Sequence, residues 1–190
     1  MRLFLVIFFA ANVALAMVLW RSPDLAYRTH ELLAMGRYHE YDDLIVKAAR
    51  KHGLDPLLVK AVVWRESRFR PEKVGAAGER GLMQVGEAAA RDWATAHKIE
   101  VFVYADLFDA KTNLDAGCWY LSRAMEYWKE RDFPVYFALA EYNAGRSRVE
   151  KWAGNSGSAA LMIKAASRAG TRGYVDDIDR RFRLYRDYRW

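Results

Sequence analysis

Apolar residues recur at three- and four-residue intervals along most of this chain, which is the spacing of amphipathic helices. The stretches between them are short, and no segment shows the alternation of apolar and polar residues that is typical of a strand. The pattern therefore predicts a mostly α protein with a single compact domain. The predicted helices span 44–52, 56–70, 88–97, 113–128, 134–143 and 158–168, with a last helix after Thr171.

Residues that favour helix ends stand at most of these boundaries. Asp55 is suited to cap the second helix and Pro56 to begin it, because proline fits the first helical position. Asn113 is expected to cap the long fourth helix. The other expected end residues are Asp42 or Asp43 and Gly53 for the first helix, Gly145 for the fifth, Gly170 for the sixth and Thr171 for the last. The sequence is ambiguous over 98–111 and predicts one more turn over 148–152.

The first part of the chain has a different composition. Residues 3–20 read LFLVIFFAANVALAMVLW and carry no charge, and their number is at the lower limit for a membrane span. The same stretch fits a secretory signal, with residues 14–16 (ALA) as its cleavage site. Because residues 17–20 stay apolar after that site, we favour the interpretation that residues 1–21 form an uncleaved anchor. Both interpretations predict export to the periplasm or cell envelope, either anchored in the inner membrane or secreted.

Residues 22–40 are polar and mixed, and they predict a tether with one short helix near 27–35. The compact domain is expected over 41–190, which is long enough to bury a core. The whole chain is 53% hydrophobic and 14% aromatic, which excludes a disordered polymer. Its single cysteine, Cys118, cannot form an intrachain disulfide and is predicted to be a small buried residue.

The charge of the chain limits its partners without choosing one. Lysine and arginine exceed aspartate and glutamate by 30 to 24, which gives a net charge of +6. A basic surface suits an anionic partner such as nucleic acid, a membrane surface or an acidic wall polymer. The four histidines lack metal-ligand spacing, so we assign no metal and expect no cofactor.

One carboxylate, Glu66, stands where the helical pattern predicts an apolar residue. On helical spacing it shares a face with Val59, Val62, Val63 and Phe69. Burial and the nearby end of the helix dipole both favour its protonated form, which raises the pKa and suits a proton donor at neutral pH. The alternative is a structural ion pair with a neighbouring arginine, of which the segment RESRFR contains three.

Two further segments carry groups that can bind a sugar. A glycine-rich loop ends in GLMQ, residues 81–84, where glycine lets the backbone approach a ligand and Gln84 offers a donor and an acceptor. The second segment, EYNAG at 141–145, ends a helix with Tyr142 and Asn143. A simple helix C-cap is the alternative interpretation of that second segment.

The order and spacing of these segments resemble the soluble lytic transglycosylase-type (SLT, lysozyme-like) domain family. The matching pieces are AVVWRESRFRPEKV, GAAGERGLMQ, a G-x-x-YL motif at 117–121, ALAEYNAG and TRGYVDDIDRRFRLY, which together run from about 41 to 188. The resemblance implies a lysozyme-like helical domain that acts on peptidoglycan glycan strands. Such domains cleave the β-1,4 bond between N-acetylmuramic acid and N-acetylglucosamine through attack by the muramic 6-hydroxyl, which leaves a 1,6-anhydro end.

The resemblance also implies roles for particular residues. Glu66 would be the single catalytic acid/base, and Ser67 would help to orient the site. Met83 and Gln84 would line the sugar cleft, and Tyr142 and Asn143 would steady Glu66 or contact the glycan. For Ser67 a helix-end hydrogen bond is an open alternative, and for Met83 a place in the core is favoured.

Four positions depart from the pattern of similar domains. Similar domains often have a serine where this chain has Gly75 and an alanine where it has Glu79. They often have a proline where it has Gly86 and a glutamate where it has Gly170. A second acid at Glu79 can alter the pKa of Glu66 or permit hydrolysis, although a solvated loop residue is the favoured interpretation.

Three other functions are compatible with parts of the sequence. A hydrolytic muramidase would use Glu66 with Glu79 or Asp92 as its second carboxylate. A low-activity wall-binding or assembly component would keep the fold with little turnover. The segment RRFRLYRDYRW at 180–190 can form a nucleic-acid contact, but export argues against nucleic acid. We favour an amphipathic helix there that buries Phe182 and Tyr185.

Overall fold

The computed structural model describes residues 7–9, 11–13, 17, 29, 31, 33–154 and 170–187. The chain divides into two compact units, Met1–Glu40 and Tyr41–Trp190. Most of the predicted anchor or signal lies outside the described residues, so the choice between them stays a prediction. Among the residues that the structure describes, no helix is both long and apolar enough to cross a membrane. The first unit includes a short 3₁₀ helix, Arg37–His39.

The second unit is built from helices, which confirms the predicted fold class. A short 3₁₀ helix, Tyr104–Phe108, occupies the segment that the sequence left ambiguous. The helix predicted over 158–168 lies outside the described residues. In order, the described helices are α1 (Asp42–Lys51), α2 (Pro56–Ser67), α3 (Glu87–Ala96), α4 (Ala110–Tyr127), α5 (Pro134–Ala144), α6 (Arg146–Ala153) and α7 (Thr171–Asp187).

Helix α2 begins as predicted and ends earlier than predicted. The Asp55 carboxylate accepts a hydrogen bond from the Leu57 amide at 2.8 Å, and Pro56 is the first helical residue. The helix ends at Ser67 because Arg68 adopts a left-handed conformation, with φ of 55°. Pro71 therefore lies beyond the end of the helix and does not terminate it.

The predicted cap of α1 was wrong. The residue before the helix is Tyr41, which makes no side-chain capping bond, and Asp42 is the first helical residue. The Asp42 carboxylate instead pairs with the fully buried ammonium group of Lys60 on α2, at 2.8 Å. An unpaired lysine would be costly in this interior, so the aspartate is used for charge compensation.

The predicted cap of α4 was also wrong. Asp109 caps this helix, and its carboxylate accepts from the Thr112 amide at 2.8 Å. Asn113 lies inside the first turn with no exposed surface. Its amide group is used in tertiary hydrogen bonds, which sequence spacing does not reveal.

The core lies where α2 and α5 are enclosed by the other helices. Helix α7 packs against both, while α4 contacts α1, α3 and α5. Buried residues occur on all sides of α2, including Leu58, Val59 and Ala61. Cys118 is fully buried on α4, as predicted.

Helix α7 is amphipathic, and its arginines are engaged within the protein. Tyr185 is fully buried as expected, but Phe182 is only half-buried and Arg181 takes a buried position. The Arg181 guanidinium lies 4.6 Å from the centre of the Trp64 ring. Arg183 forms an ion pair with Asp179 one turn away. This packing accounts for the alternation of arginine and aromatic residues through residue 187.

Candidate active site

Glu66 lies in the last turn of α2, at the wall of a cleft. The left-handed residues Arg68 and Phe69 turn the chain away from the helix directly after it. Phe69 is buried, so this turn is anchored in the core. The Tyr174 hydroxyl on α7 donates a hydrogen bond to Glu66 Oε1 at 2.6 Å. The other carboxylate oxygen of Glu66, Oε2, has no hydrogen-bond partner among the described residues and is available to a ligand.

The surroundings of Glu66 favour its protonated form, chiefly through burial. Burial raises the pKa of Glu66 from 4.5 to about 7. The hydrogen bond from Tyr174 and the charges of Lys73 and Arg65 oppose this rise, and the charge of Glu79 adds slightly to it. Arg65 itself is paired with Asp177 at 3.2 Å, so its charge is shared with a second carboxylate. At neutral pH both protonation states of Glu66 are populated.

Tyr174 is the functional candidate that the sequence analysis did not single out. It is buried, and it lies 108 residues from Glu66 along the chain. Burial and the negative charge of Glu66 hold the pKa of this phenol well above its usual value, so it acts as a hydrogen-bond donor. Its signal in the sequence was its place in the TRGYV segment, four residues before the buried Ile178.

The glycine-rich loop forms the facing wall of the cleft. The Lys73 ammonium donates to the backbone carbonyl of Glu66. The Gln84 amide nitrogen donates in turn to the carbonyls of Lys73 and Gly81, both at 3.0 Å. Isolated bridges join Arg80 to Val74 and Val85, so the loop is closed on itself.

The cleft has a volume of about 730 Å³. Its wall is mixed in charge, because basic and acidic side chains alternate with small residues of the loop. The side chains relevant to chemistry in its lining are Arg65, Glu66, Lys73, Glu79, Gln84, Tyr120, Tyr142 and Asn143. The structure thus brings Glu66, Gln84, Tyr142 and Asn143 together as the sequence predicted.

Tyr142 and Asn143 hold the end of α5 against its neighbours. The Tyr142 hydroxyl donates to the Met83 carbonyl at 2.9 Å, and its ring meets that of Tyr120 edge to face at 5.7 Å. The side-chain oxygen of Asn143, Oδ1, accepts a hydrogen bond from the Thr171 hydroxyl at 2.8 Å. Tyr142 therefore fixes the glycine-rich loop, while Tyr174 provides the hydrogen bond that steadies Glu66.

Ser67 and Met83 do not reach the cleft. Both are fully buried. The Ser67 hydroxyl donates to the Val63 carbonyl at 3.2 Å, which is the helix-end bond considered as its alternative role. The Met83 side chain packs against Gly117 and Cys118 on α4, so it belongs to the core. The placement of both residues in the sugar site is corrected accordingly. Ser67 is turned inward by the register of α2, whereas Met83 lies in the loop before α3 and is turned inward by its packing on α4.

The two acids considered as a second carboxylate lie in different places. Glu79 lines the cleft, and its Oε2 accepts from the Ala77 amide at 3.0 Å. Asp92 is exposed on α3 and is not part of the cleft wall. Of the other departures, Gly86 precedes α3 as its N-cap and Gly170 has a φ of 75°, where a side chain would be strained.

A family model described as "Transglycosylase SLT domain" matches residues 43–162. This is more than half of the chain, and the protein belongs to that family. The resemblance read from the sequence is thereby confirmed. The matched range includes Glu66 and the cleft loop, but it ends before α7, which carries Tyr174.

Relatives of known name agree with this assignment. The chain is 33% identical over 116 residues to the membrane-bound lytic murein transglycosylase F of Desulfosudis oleivorans, covering 60% of this chain and 24% of the relative. It is 29% identical over 147 residues to the soluble lytic murein transglycosylase of Salmonella typhimurium, covering 73% of this chain and 22% of the relative. The chain thus spans about a quarter of the length of these relatives.

A solved structure shows the same fold. The 70-kDa soluble lytic transglycosylase of Escherichia coli superimposes with a TM-score of 0.69 and 26% identity, over 78% of this chain and 24% of that protein. The predicted mostly α, lysozyme-like fold is therefore confirmed for the compact part of the chain. The N-terminal anchor or signal is outside this comparison.

Proposed function

We propose that this protein is a peptidoglycan lytic transglycosylase. It cleaves the β-1,4 bond between N-acetylmuramic acid and N-acetylglucosamine and leaves a 1,6-anhydromuramic end. The observation that carries this proposal is the Glu66 carboxyl group in the cleft, with a pKa of about 7 and one oxygen bonded to Tyr174. The names of the relatives support the choice of peptidoglycan as the substrate.

The arrangement suits a reaction with one acid/base. Protonated Glu66 donates its proton to the glycosidic oxygen as the bond to the anomeric carbon breaks. The resulting carboxylate then accepts the proton of the muramic 6-hydroxyl as that oxygen attacks the anomeric carbon. Because the nucleophile is part of the substrate, its effective concentration is high and no second carboxylate is required.

The neighbours of Glu66 support both halves of this cycle. The Tyr174 hydroxyl and the charge of Lys73 stabilise the carboxylate that forms after the first proton transfer. Burial destabilises the same carboxylate and keeps the acid form available at neutral pH. The hydrogen bond to Oε1 leaves Oε2 to face the substrate. Gln84, Tyr120 and Asn143 are the proposed polar contacts to the sugar rings.

We further propose that the enzyme works in the cell envelope. Its substrate class is found there, and relatives are named in both membrane-bound and soluble forms. Attachment through residues 3–20 would hold the cleft near the inner membrane. A membrane fraction that retains the protein after a salt wash is the expected result, and release of a shortened soluble chain would instead indicate a cleaved signal.

The test is digestion of purified peptidoglycan with the full chain, followed by mass measurement of the soluble products without a second muramidase. The parent protein is expected to release anhydro products, and Glu66→Gln is expected to reduce the rate by at least about 10²-fold. Glu72→Gln is the matched control, since Glu72 is an exposed acid that follows α2 and does not line the cleft. Wall binding without any products from the parent would instead favour the low-activity binding component.

A further inference from the structure

Two departures from the family pattern meet at one point of the cleft. The Glu79 carboxylate lies directly over Gly75, so that a Cβ atom at position 75 would overlap Glu79 Oε2. The two residues are also joined through their backbones, since the Gly75 amide donates to the Glu79 carbonyl at 2.7 Å. The absence of a side chain at 75 is therefore what makes room for the acid at 79.

The Glu79 carboxylate is held in place and still has an acceptor to offer. The Ala77 amide binds Oε2 at 3.0 Å, which orients the group along the cleft wall. The other oxygen, Oε1, has no hydrogen-bond partner within the described part of the chain. No lysine or arginine described by the structure forms an ion pair with Glu79. A structural role as an ion-pair partner is therefore not what places this carboxylate here.

A second acceptor converges on the same space. The side-chain oxygen of Gln84 lies 2.9 Å from the position that a Cβ at Gly75 would take. Because the Gln84 nitrogen is bonded to the carbonyls of Lys73 and Gly81, its oxygen must point toward Gly75. The Glu79 atom nearest this position is Oε2, which accepts from the Ala77 amide and can accept one more hydrogen bond. Two acceptors side by side favour a ligand with two O–H or N–H donors, and water is the smallest such molecule.

This pair is connected to the acid by a short chain of contacts. The Lys73 ammonium binds the Glu66 backbone, and the Lys73 carbonyl binds Gln84. Glu66, Gln84 and Glu79 line one cleft, and the charge of Glu79 reaches the Glu66 carboxyl group, whose pKa it helps to raise. Hydrolysis of a glycosidic bond needs this combination of a proton donor and a second carboxylate that activates water.

We propose that Glu79 is a second catalytic residue, which lets the same cleft hydrolyse glycan strands whose muramic 6-hydroxyl is blocked by an acyl group. This inference rests on the proposed function, since it uses Glu66 as the acid. Strands with a free 6-hydroxyl still react mainly by internal attack, because an intramolecular nucleophile has a higher effective concentration than water.

The hydrolytic step balances without any further reactant. A water held by Glu79 and Gln84 attacks the anomeric carbon of the muramic residue. The bond from that carbon to the glycosidic oxygen breaks, and Glu66 supplies the proton that the leaving oxygen takes. Glu79 accepts one proton from the attacking water, and this proton returns to Glu66 through solvent. The products are a reducing muramic end and a free 4-hydroxyl on glucosamine.

The experiment compares two substrates, peptidoglycan with free 6-hydroxyls and peptidoglycan that has been acetylated at this position. On the acetylated substrate the parent is expected to release reducing products, one water heavier than anhydro ends. Glu79→Gln keeps the size of the side chain but cannot accept the proton, and it should lower this release by roughly 10²-fold. On the free substrate the same variant should lower anhydro release less than it lowers the release of reducing products from the acetylated substrate, so the ratio of reducing to anhydro release should fall by at least about tenfold.

A second variant keeps the Glu79 carboxylate but displaces it, and so tests whether its position matters. Gly75→Ala keeps Glu79 but puts a methyl group where the carboxylate lies, and a flexible side chain can move away without unfolding the loop. Its release of reducing products should fall as in Glu79→Gln. Glu72→Gln should match the parent on both substrates.

The outcomes are distinguishable. Anhydro products from the free substrate with none from the acetylated one would overturn the role of Glu79 and leave the proposed function standing. Reducing products that persist in Glu79→Gln would also overturn it. No products from either substrate would overturn the proposed function and this inference together.

Discussion

At the scale of single residues, the burial that suits Glu66 to its proposed role as an acid also carries a cost in stability. Its carboxyl group continues the apolar face of α2 and lies at the negative end of that helix. Burial raises its pKa to about 7, so the folded protein resists its ionisation. Tyr174 and Lys73 offset part of this penalty. The same burial that prepares Glu66 to donate a proton therefore weakens the fold at alkaline pH.

We predict that Glu66→Gln stabilises the protein at pH 8. Because the folded-state pKa lies above the unfolded value of 4.5, the folded state binds more protons between the two pKa values. Stability is thus lost as pH rises toward and through 7, by at most about 3 kcal/mol. Glutamine cannot ionise and escapes this loss. Thermal unfolding should show a higher Tm for the variant at pH 8 and nearly equal values at pH 4.5. A variant less stable than the parent at pH 8 would contradict this account.

Removing the Tyr174 hydroxyl should change the pH dependence of activity. The hydrogen bond favours the ionised form of Glu66, so Tyr174→Phe raises the pKa of Glu66 further. Since the acid must be protonated to donate, the alkaline fall of kcat/KM near pH 7 should move to higher pH. Tyr136→Phe, outside the cleft wall, should leave this limb in place. A purely structural role for Tyr174 would lower activity without moving the limb.

At the scale of elements, the cleft loop is held by α4 through Asn113. The Met83 amide donates to the Asn113 side chain at 2.7 Å, and the Asn113 nitrogen donates to the carbonyls of Arg80 and Leu107. A Cβ at Gly81 would overlap that amide group, so glycine is required at this close approach. Asparagine at the start of a helix looks like a cap in sequence, and only the loop that packs on it reveals its use.

Asn113→Ala should destabilise the domain by about 3 kcal/mol. The change removes the printed partners of the Met83 amide and the Leu107 carbonyl, while the Arg80 carbonyl keeps its bond from the Val85 amide. Each buried group left unsatisfied costs about 1–3 kcal/mol. Chemical denaturation measures the difference in the free energy of unfolding. Lys111→Ala, an exposed change in the same helical turn, should stay within about 0.5 kcal/mol of the parent. Equal stabilities for the two variants would show that the loop does not depend on Asn113.

At the scale of the whole molecule, α7 completes both the core and the site. It packs on α2 and α5, buries Val175, Ile178 and Tyr185, and presents Tyr174 to Glu66. This helix lies outside the range matched by the family model. The proposed active site therefore extends beyond residues 43–162, the range that the family model matches.

A chain that ends at residue 169 should fail to form the native core. Such a chain lacks α7, which leaves exposed the faces of α2 and α5 that α7 normally covers. Burial of each large apolar side chain contributes about 1.5–3 kcal/mol to stability. We expect no cooperative thermal transition and no near-ultraviolet circular dichroism from packed aromatic rings. A chain that ends at residue 187 keeps α7 and should retain both. Cooperative unfolding of the shorter chain would show that α7 is an accessory element.

Local patterns in the sequence determined the helices and their approximate order. Helical spacing of apolar residues is a short-range property, and it placed both ends of α2, α3 and α5 and the start of α7 within a few residues. Asp55 with Pro56 marked a helix start because a capping bond involves only neighbours. Glu66 stood out because a charged residue on an otherwise apolar helix face is also visible in the local pattern. The order of the motifs indicated the family and pointed to the residues of the cleft loop.

The tertiary structure alone decided which polar groups meet. Asp42 pairs with Lys60, Asn113 supports the cleft loop, and Tyr174 bonds to Glu66 from 108 residues away. Each of these partners is chosen by the way that helices pack, and spacing along the chain carries no record of it. The same holds for Ser67 and Met83, whose inward direction was settled by helix rotation and packing. The sequence by itself therefore determined the elements and the acid, while packing decided how that acid is held.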